Sequence, residues 1–181
     1  VGPETVSPLA GWGAGTWSQN TWGTGGTTSD ALRLWTQSNF GEDLVFGPKG
    51  GAPYYWDATN GLTTRGVLLS SLGSASDVPT IQNFILISDI NRFLFCFGAN
   101  TIGTSTQDPM LIRWSDQESA VNWTPSATNQ AGSLRLSRGT EIITAKQSRQ
   151  AVVIWTDSSV YNLQYLGGQA VWGAQFIGDN T

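Results

Sequence analysis

"NFILISDINRFLFCFGA", residues 83–99, decides how this chain folds. Two short apolar runs, Phe84 to Ile87 and Phe93 to Phe97, flank a polar bend at Asp89-Ile90-Asn91. Runs of this length, bounded by turn-forming residues, read as two paired strands rather than a helix. "DLVFGPKGGAPYYWD" (43–57) repeats the plan around Pro48-Lys49-Gly50-Gly51, and "EIITAKQSRQAVVIWTD" (141–157) repeats it with Gln147-Ser148-Arg149 at the bend. Laid over one another, Leu44, Ile85 and Ile143 coincide, and twelve residues later Trp56, Phe97 and Trp155 coincide. Glu42 and Glu141 also match, as do the Leu-Arg-Leu strands at 32–34 and 134–136, within a few residues.

The hairpin starts fall 41 and then 58 residues apart. A four-stranded propeller blade takes about 40 to 45 residues, so the first interval is one blade. The second is one blade plus an insertion, expected as a contact hairpin over 99–123. A lone hairpin cannot bury its faces, and radial stacking of copies solves that while hiding most edges. The expected fold is therefore all-β, with propeller-like antiparallel blades over residues 32–181 and a partial propeller in this chain. A β-sandwich is the alternative. Three units fall short of a ring, so the missing blades belong to residues outside this chain or to other subunits. Val1 in place of a Met hints at a fragment or a processed product. Segment 62–80 reads either as a helical turn and a half around Val67 to Leu72 or as the outer strand of a blade.

Outward from the hairpins, residues 1–31 form a Gly/Trp-rich irregular segment. Trp12, Trp17 and Trp22 are spaced by five there, matching neither a strand nor a helix face. Charged residues make up only 12% of the chain, which carries nine tryptophans and 22 glycines, a mixture suited to short strands and tight turns. The net charge of −4 disfavours binding to nucleic acid through an overall field. No apolar run reaches membrane-spanning length.

The chain has no histidine and one cysteine, Cys96. That excludes Ser-His and Cys-His nucleophilic catalysis, histidine- or thiolate-bound zinc, and a disulfide framework. Neither "GPKGG" nor "GTGGTTS" completes a phosphate-binding loop, and "DATNGL" offers too few oxygens for calcium. No catalytic, cofactor or metal residue is expected.

Carboxylates remain. Asp57, Asp116 and Asp157 each follow a strand ending in Trp ("YYWD", "RWSD", "IWTD"), and Glu118 lies two beyond Asp116. A glycosidase needs two carboxylates about 5 to 9 Å apart, with Asp116 or Glu118 acting beside Asp157. Recurrence in every unit favours a structural turn, in which the side chain accepts from the next backbone N–H groups. Trp35, Trp56, Trp114 and Trp155 lie within apolar strands and read as core; Trp123 and Trp172 fit either core or surface.

The order "VPTIQNFILISD…FGAN…DPMLIRWSDQESAVNWTPSATNQAGSLRLSRGTEI" resembles virion proteins of tailed bacteriophages, over residues 32 to 172. It is most similar to the propeller-bearing tail hub or nozzle and packaged-DNA stabilisation proteins of short-tailed phages. "RWSDQESAVNWTP" also resembles, distantly, the Asp-box turn of sialidase-like propellers, without its glycine at Ser119–Ala120. The resemblance implies a non-enzymatic virion subunit, copies of which form a ring with portal or other tail proteins. Genomic DNA would pass through without sequence-specific binding. Trp12, Trp17, Trp22, Glu118 and Trp123 are the expected subunit contacts. A carbohydrate-binding propeller for host-receptor glycans is the alternative.

Overall fold

The computed structural model describes residues 34–89, 91–168 and 170–179. Trp12, Trp17 and Trp22 lie outside them. The described part is all-β, with three four-stranded antiparallel sheets and no closed barrel.

In chain order the strands are β1 (Trp35–Phe40), β2 (Asp43–Pro48), β3 (Tyr54–Trp56) and β4 (Val67–Leu68); β5 (Phe84–Ile87), β6 (Leu94–Phe97), β7 (Leu111–Trp114) and β8 (Gly132–Arg135); and β9 (Ile142–Gln147), β10 (Ala151–Thr156), β11 (Ser159–Tyr165) and β12 (Trp172–Asp179). Each set of four forms its own sheet, with consecutive strands paired as neighbours. Taken two at a time, the sheets pack face to face as in a sandwich. One meander repeated three times in chain order is the propeller-like feature.

The first strands of the three blades lie side by side, β5 next to both β1 and β9. The Ile85 N–H donates to Thr36 Oγ1 and the Ile87 N–H to Ser38 Oγ, each at 3.2 Å. Both chains advance two residues between these bonds, so β1 and β5 run in the same direction. The hydroxyls satisfy backbone donors that an edge strand would otherwise leave bare.

The middle blade (β5–β8) is covered on both faces at its central strands, β6 and β7, while Ser133 and Arg135 of β8 are exposed. Phe84, Leu86, Phe95, Phe97, Ile112 and Trp114 face the third blade, where they meet Ile142, Ala145, Val152, Ile154, Tyr161 and Leu163. Ile85, Ile87, Leu94 and Cys96 face the first blade and pack with Val45 and Leu69. Every residue of β6 and β7 is buried, which explains why "LFCF" and "LIRW" show no alternation. Among the described residues each end blade packs against another blade on one side only, and β1 alternates strictly between exposed and half-buried positions.

Two expectations are corrected. The first strands start at residues 35, 84 and 142, so the blade intervals are 49 and 58, not 41 and 58. Hairpin 43–57 is the second and third strands of its blade, whereas 83–99 and 141–157 are the first and second. Both kinds of hairpin bury the same residue types, so the alignment slipped by one strand. Segment 99–123 is not an inserted hairpin: it contributes β7, the third strand of the middle blade, with its extra length in loops 98–110 and 115–131. Segment 62–80 contains the outer strand β4, followed by a 3-10 turn at Leu69–Ser71.

Candidate functional site

The acids have structural partners. Asp57 accepts from the Thr59 backbone N–H (2.8 Å) and hydroxyl (2.6 Å), closing the turn after β3. These bonds hold its carboxyl below the ordinary range. Asp116 Oδ1 accepts from the Gln117 N–H (2.9 Å) and the Gln130 N–H (2.8 Å), joining the two ends of loop 115–131. Asp157 does not cap its own turn. Its two oxygens accept from the Thr140 N–H (2.8 Å) and hydroxyl (2.6 Å), clasping the segment that leads into β9, and its carboxyl is likewise lowered. Asp116 and Asp157 thus belong to different blades. Glu118 is exposed at the tip of its loop, in the left-handed region at φ 55°.

Trp123, expected as a surface contact, is 1% exposed, because loop 115–131 folds its indole under the first-blade core. The indole N–H donates to the Ala120 carbonyl at 2.8 Å. Trp114 and Trp172 are also buried. The other strand tryptophans correct the expectation of a uniform core: Trp56 and Trp155 are half-buried and Trp35 is 44% exposed. All three point away from the middle blade, by the registers Leu44↔Trp56, Trp155↔Val160 and Trp35↔Pro48.

Where the three first strands begin, a polar seam ties the blades together. The turn Pro48 to Gly51 of the first blade exchanges backbone bonds with Gln82: the Gly50 N–H donates to Gln82 O (2.7 Å) and the Gln82 N–H to Gly51 O (3.0 Å). The Gln82 side chain donates to the Pro48 carbonyl at 2.9 Å. Asn83 Nδ2 donates to Glu141 Oε1 at 3.2 Å, and Lys49 Nζ stands 2.7 Å from the same oxygen. Gln107 braces Asn83 from behind, donating to its Oδ1 at 2.8 Å. The ion pair is half exposed, so it contributes about 0 to 1 kcal/mol. Its main effect is to fix alignment.

Residue-by-residue reading missed Arg113. It sits in β7 opposite Cys96, only 1% exposed, and faces the first-blade core. Its guanidinium donates to the carbonyls of Asn100 (3.2 Å) and Asp77, and lies 5.9 Å from the Trp123 ring. Burial lowers its pKa. Beside it, burial pushes the Cys96 thiol up to about 12. The signal was present in "LIRW", a cation in mid-strand between apolar neighbours.

Among the described residues no further blade covers the outer face of either end blade, although the loop after β3 lies against part of the first one, where the Trp56 indole N–H donates to the Thr64 carbonyl at 2.9 Å and Gly66 packs on Phe46. On the first blade, Trp35, Phe46, Tyr54, Trp56 and Leu68 share one face with Gln37 and Asn39. Phe46 lies 6.1 Å from Trp35 and 5.6 Å from Tyr54, a row of rings crossing three strands. On the third blade, Thr144, Lys146, Val153, Trp155, Val160 and Asn162 share the outer face.

Among the described residues no helix is long and apolar enough to cross a membrane. No family model, curated protein or solved structure matches the chain.

Proposed function

We propose that this chain is a non-enzymatic building block of a larger assembly, of the tail hub or nozzle kind found in short-tailed phages. One observation carries the building-block reading: a middle blade stands between two blades whose outer faces no further blade covers among the described residues, the first aromatic-rich and the third mixed apolar and polar. Open sheet faces rich in Trp, Tyr and Phe are what binding surfaces present. The carboxylates a hydrolase would draw on, Asp116 and Asp157, are engaged in closing loops instead.

The virion setting is supported by the resemblance over residues 32 to 172. In that setting the partners are further copies of the chain and other tail or portal proteins. DNA is a passenger, since a chain of net charge −4 holds phosphate backbones weakly. Immunogold labelling of phage particles, with an antibody against this chain, tests the proposal. Label at the tail vertex is expected; particles labelled nowhere would overturn it.

A second reading has its own observation. The ring row Trp35–Phe46–Tyr54 stands beside the amides of Gln37 and Asn39, the pairing of stacking faces and hydrogen-bonding groups that sugars use. Glycan-array binding abolished by Trp35→Ala would favour that reading over assembly.

A further inference from the structure

We infer that the open face of the first blade is covered by the open face of the third blade of a second copy, so that copies join head to tail. This rests on the assembly reading above and names the partner and the surfaces.

Two blade–blade interfaces already lie inside the chain. In the first, one face of the first blade (Val45, Tyr55) meets the Ile85, Leu94 and Cys96 face of the second. In the next, the opposite face of the second blade (Phe95, Phe97, Ile112) meets the Ile142, Val152 and Ile154 face of the third. The rule is that each blade presents its later-facing side to the earlier-facing side of its successor. Applied once more, the rule places Val153, Trp155 and Val160 of one copy against Trp35, Phe46, Tyr54 and Leu68 of another. No new kind of contact is needed.

The compositions fit this pairing. The first-blade face contains no charged residue, as Trp35, Gln37, Asn39, Leu44, Phe46, Pro48, Tyr54, Trp56 and Leu68 are all neutral. Lys146 is the one cation placed by register on the third-blade face. No like charges oppose each other. Exposed apolar side chains stand on or beside both faces, Trp35 at 44% and Leu68 at 40% on one and Ile143 at 52% beside the other, while Val153, Trp155 and Val160 are half-buried. Such an interface is heterologous, using different surfaces of the two partners, and it closes into a ring or continues as a stack.

Two face-blocked variants of the full chain test the inference by sedimentation velocity. One has Trp35→Arg with Leu68→Arg; the other has Val153→Arg with Val160→Arg. Wild type is expected to self-associate with concentration, and each variant alone to associate about 100-fold more weakly, because its arginines are buried unpaired. Mixed in equal amounts, the variants should form one-to-one dimers, since one intact face of each kind remains. A mixture that stays monomeric while wild type associates overturns the face pairing and leaves assembly standing. One variant still associating alone also overturns it, because the contact would then be symmetric. A wild type that is monomeric up to its solubility limit overturns the inference, and the labelling experiment then decides the assembly reading separately. Circular dichroism confirms that the variants fold; should the arginines unfold a blade, Leu68→Gln and Val153→Gln give the same readout with about tenfold weakening.

Discussion

Replacing Arg113 should divide the forces acting on a buried cation. The guanidinium is 1% exposed and holds the carbonyls of Asn100 and Asp77. Asn100 in turn accepts from the Thr80 and Ile81 N–H groups and donates to Thr104 O, so two loops, 72–83 and 98–110, depend on one side chain. Truncation in Arg113→Ala removes a buried stem, at about 2 to 5 kcal/mol, and strands two carbonyls at about 1 to 3 kcal/mol each. Against this, the desolvation of the ion is relieved, by several kcal/mol. The net expectation is a loss of about 3 kcal/mol, which lowers Tm by roughly 10 °C for a domain of this size. Arg113→Met keeps the volume and drops the charge, so its loss should stay near 1 kcal/mol. Arg113→Lys keeps the charge but reaches one carbonyl instead of two, and should fall between them at about 2 kcal/mol. Urea unfolding followed by tryptophan fluorescence measures all three. Lys matching wild type, or Ala within 0.5 kcal/mol of it, would refute the idea that the planar fork organises the loops.

Three further outcomes follow from particular contacts. Asp57 and Asp157 have folded pKa values below the ordinary 3.8, so their contribution is fully present above that value and is lost as pH falls through the lower folded value. Asp57→Asn with Asp157→Asn should therefore lower stability at pH 7 and flatten the acid limb, so that the variant and wild-type curves converge below about pH 4; an unchanged acid limb contradicts the assignment. Cys96 is fully buried, with its thiol pushed up to about 12, so a thiol reagent at pH 8 should label it only at the rate of unfolding, and labelling at the free-thiol rate in native buffer would contradict that burial. Gly98 has φ +62°, and a Cβ there would come within 2.9 Å of Asn83 Nδ2, whereas Gly50 (φ +73°) faces open space. Gly98→Ala should then cost about 1 to 2 kcal/mol more than Gly50→Ala in thermal unfolding, and equal losses would remove the polar seam's dependence on Gly98.

Strand identity was legible because the apolar runs are short and interrupted. The run "NFILISDINRFLFCFGA" yields β5 and β6, and the third hairpin yields β9 and β10, as its residues indicate. The place of each hairpin within its blade was not legible. A hairpin of strands one and two buries the same residue types as one of strands two and three, so 43–57 aligned one strand out of step. β1 was the casualty: "WTQSNF" alternates between polar and apolar and faces solvent on one side, which hid a first strand. The tryptophans failed for a related reason. A strand position fixes which face a ring occupies but not whether another blade covers that face. Trp114 and Trp35 both sit in strands, and only the stack separates them. Asp57 could be read from its neighbours because its partner is two residues away, whereas Asp157 reaches Thr140 across 17 residues, a distance no local pattern encodes.

The middle blade's double coverage has a further consequence for alignment during folding. In a strand with one wet face, sliding by a single residue is punished at once, because every apolar side chain turns outward. β6 and β7 have no wet face, so hydrophobicity alone scarcely distinguishes one pairing from the next. Arg113 breaks that degeneracy. A one-residue slip of β7 would drive its guanidinium among Phe95, Phe97 and the third-blade side chains, far from the Asp77 and Asn100 carbonyls that receive it. Arg113, the buried cation among the described residues, thus acts as an indexing pin, setting the one alignment in which both cores close together, as single polar residues do when they fix the register of coiled coils.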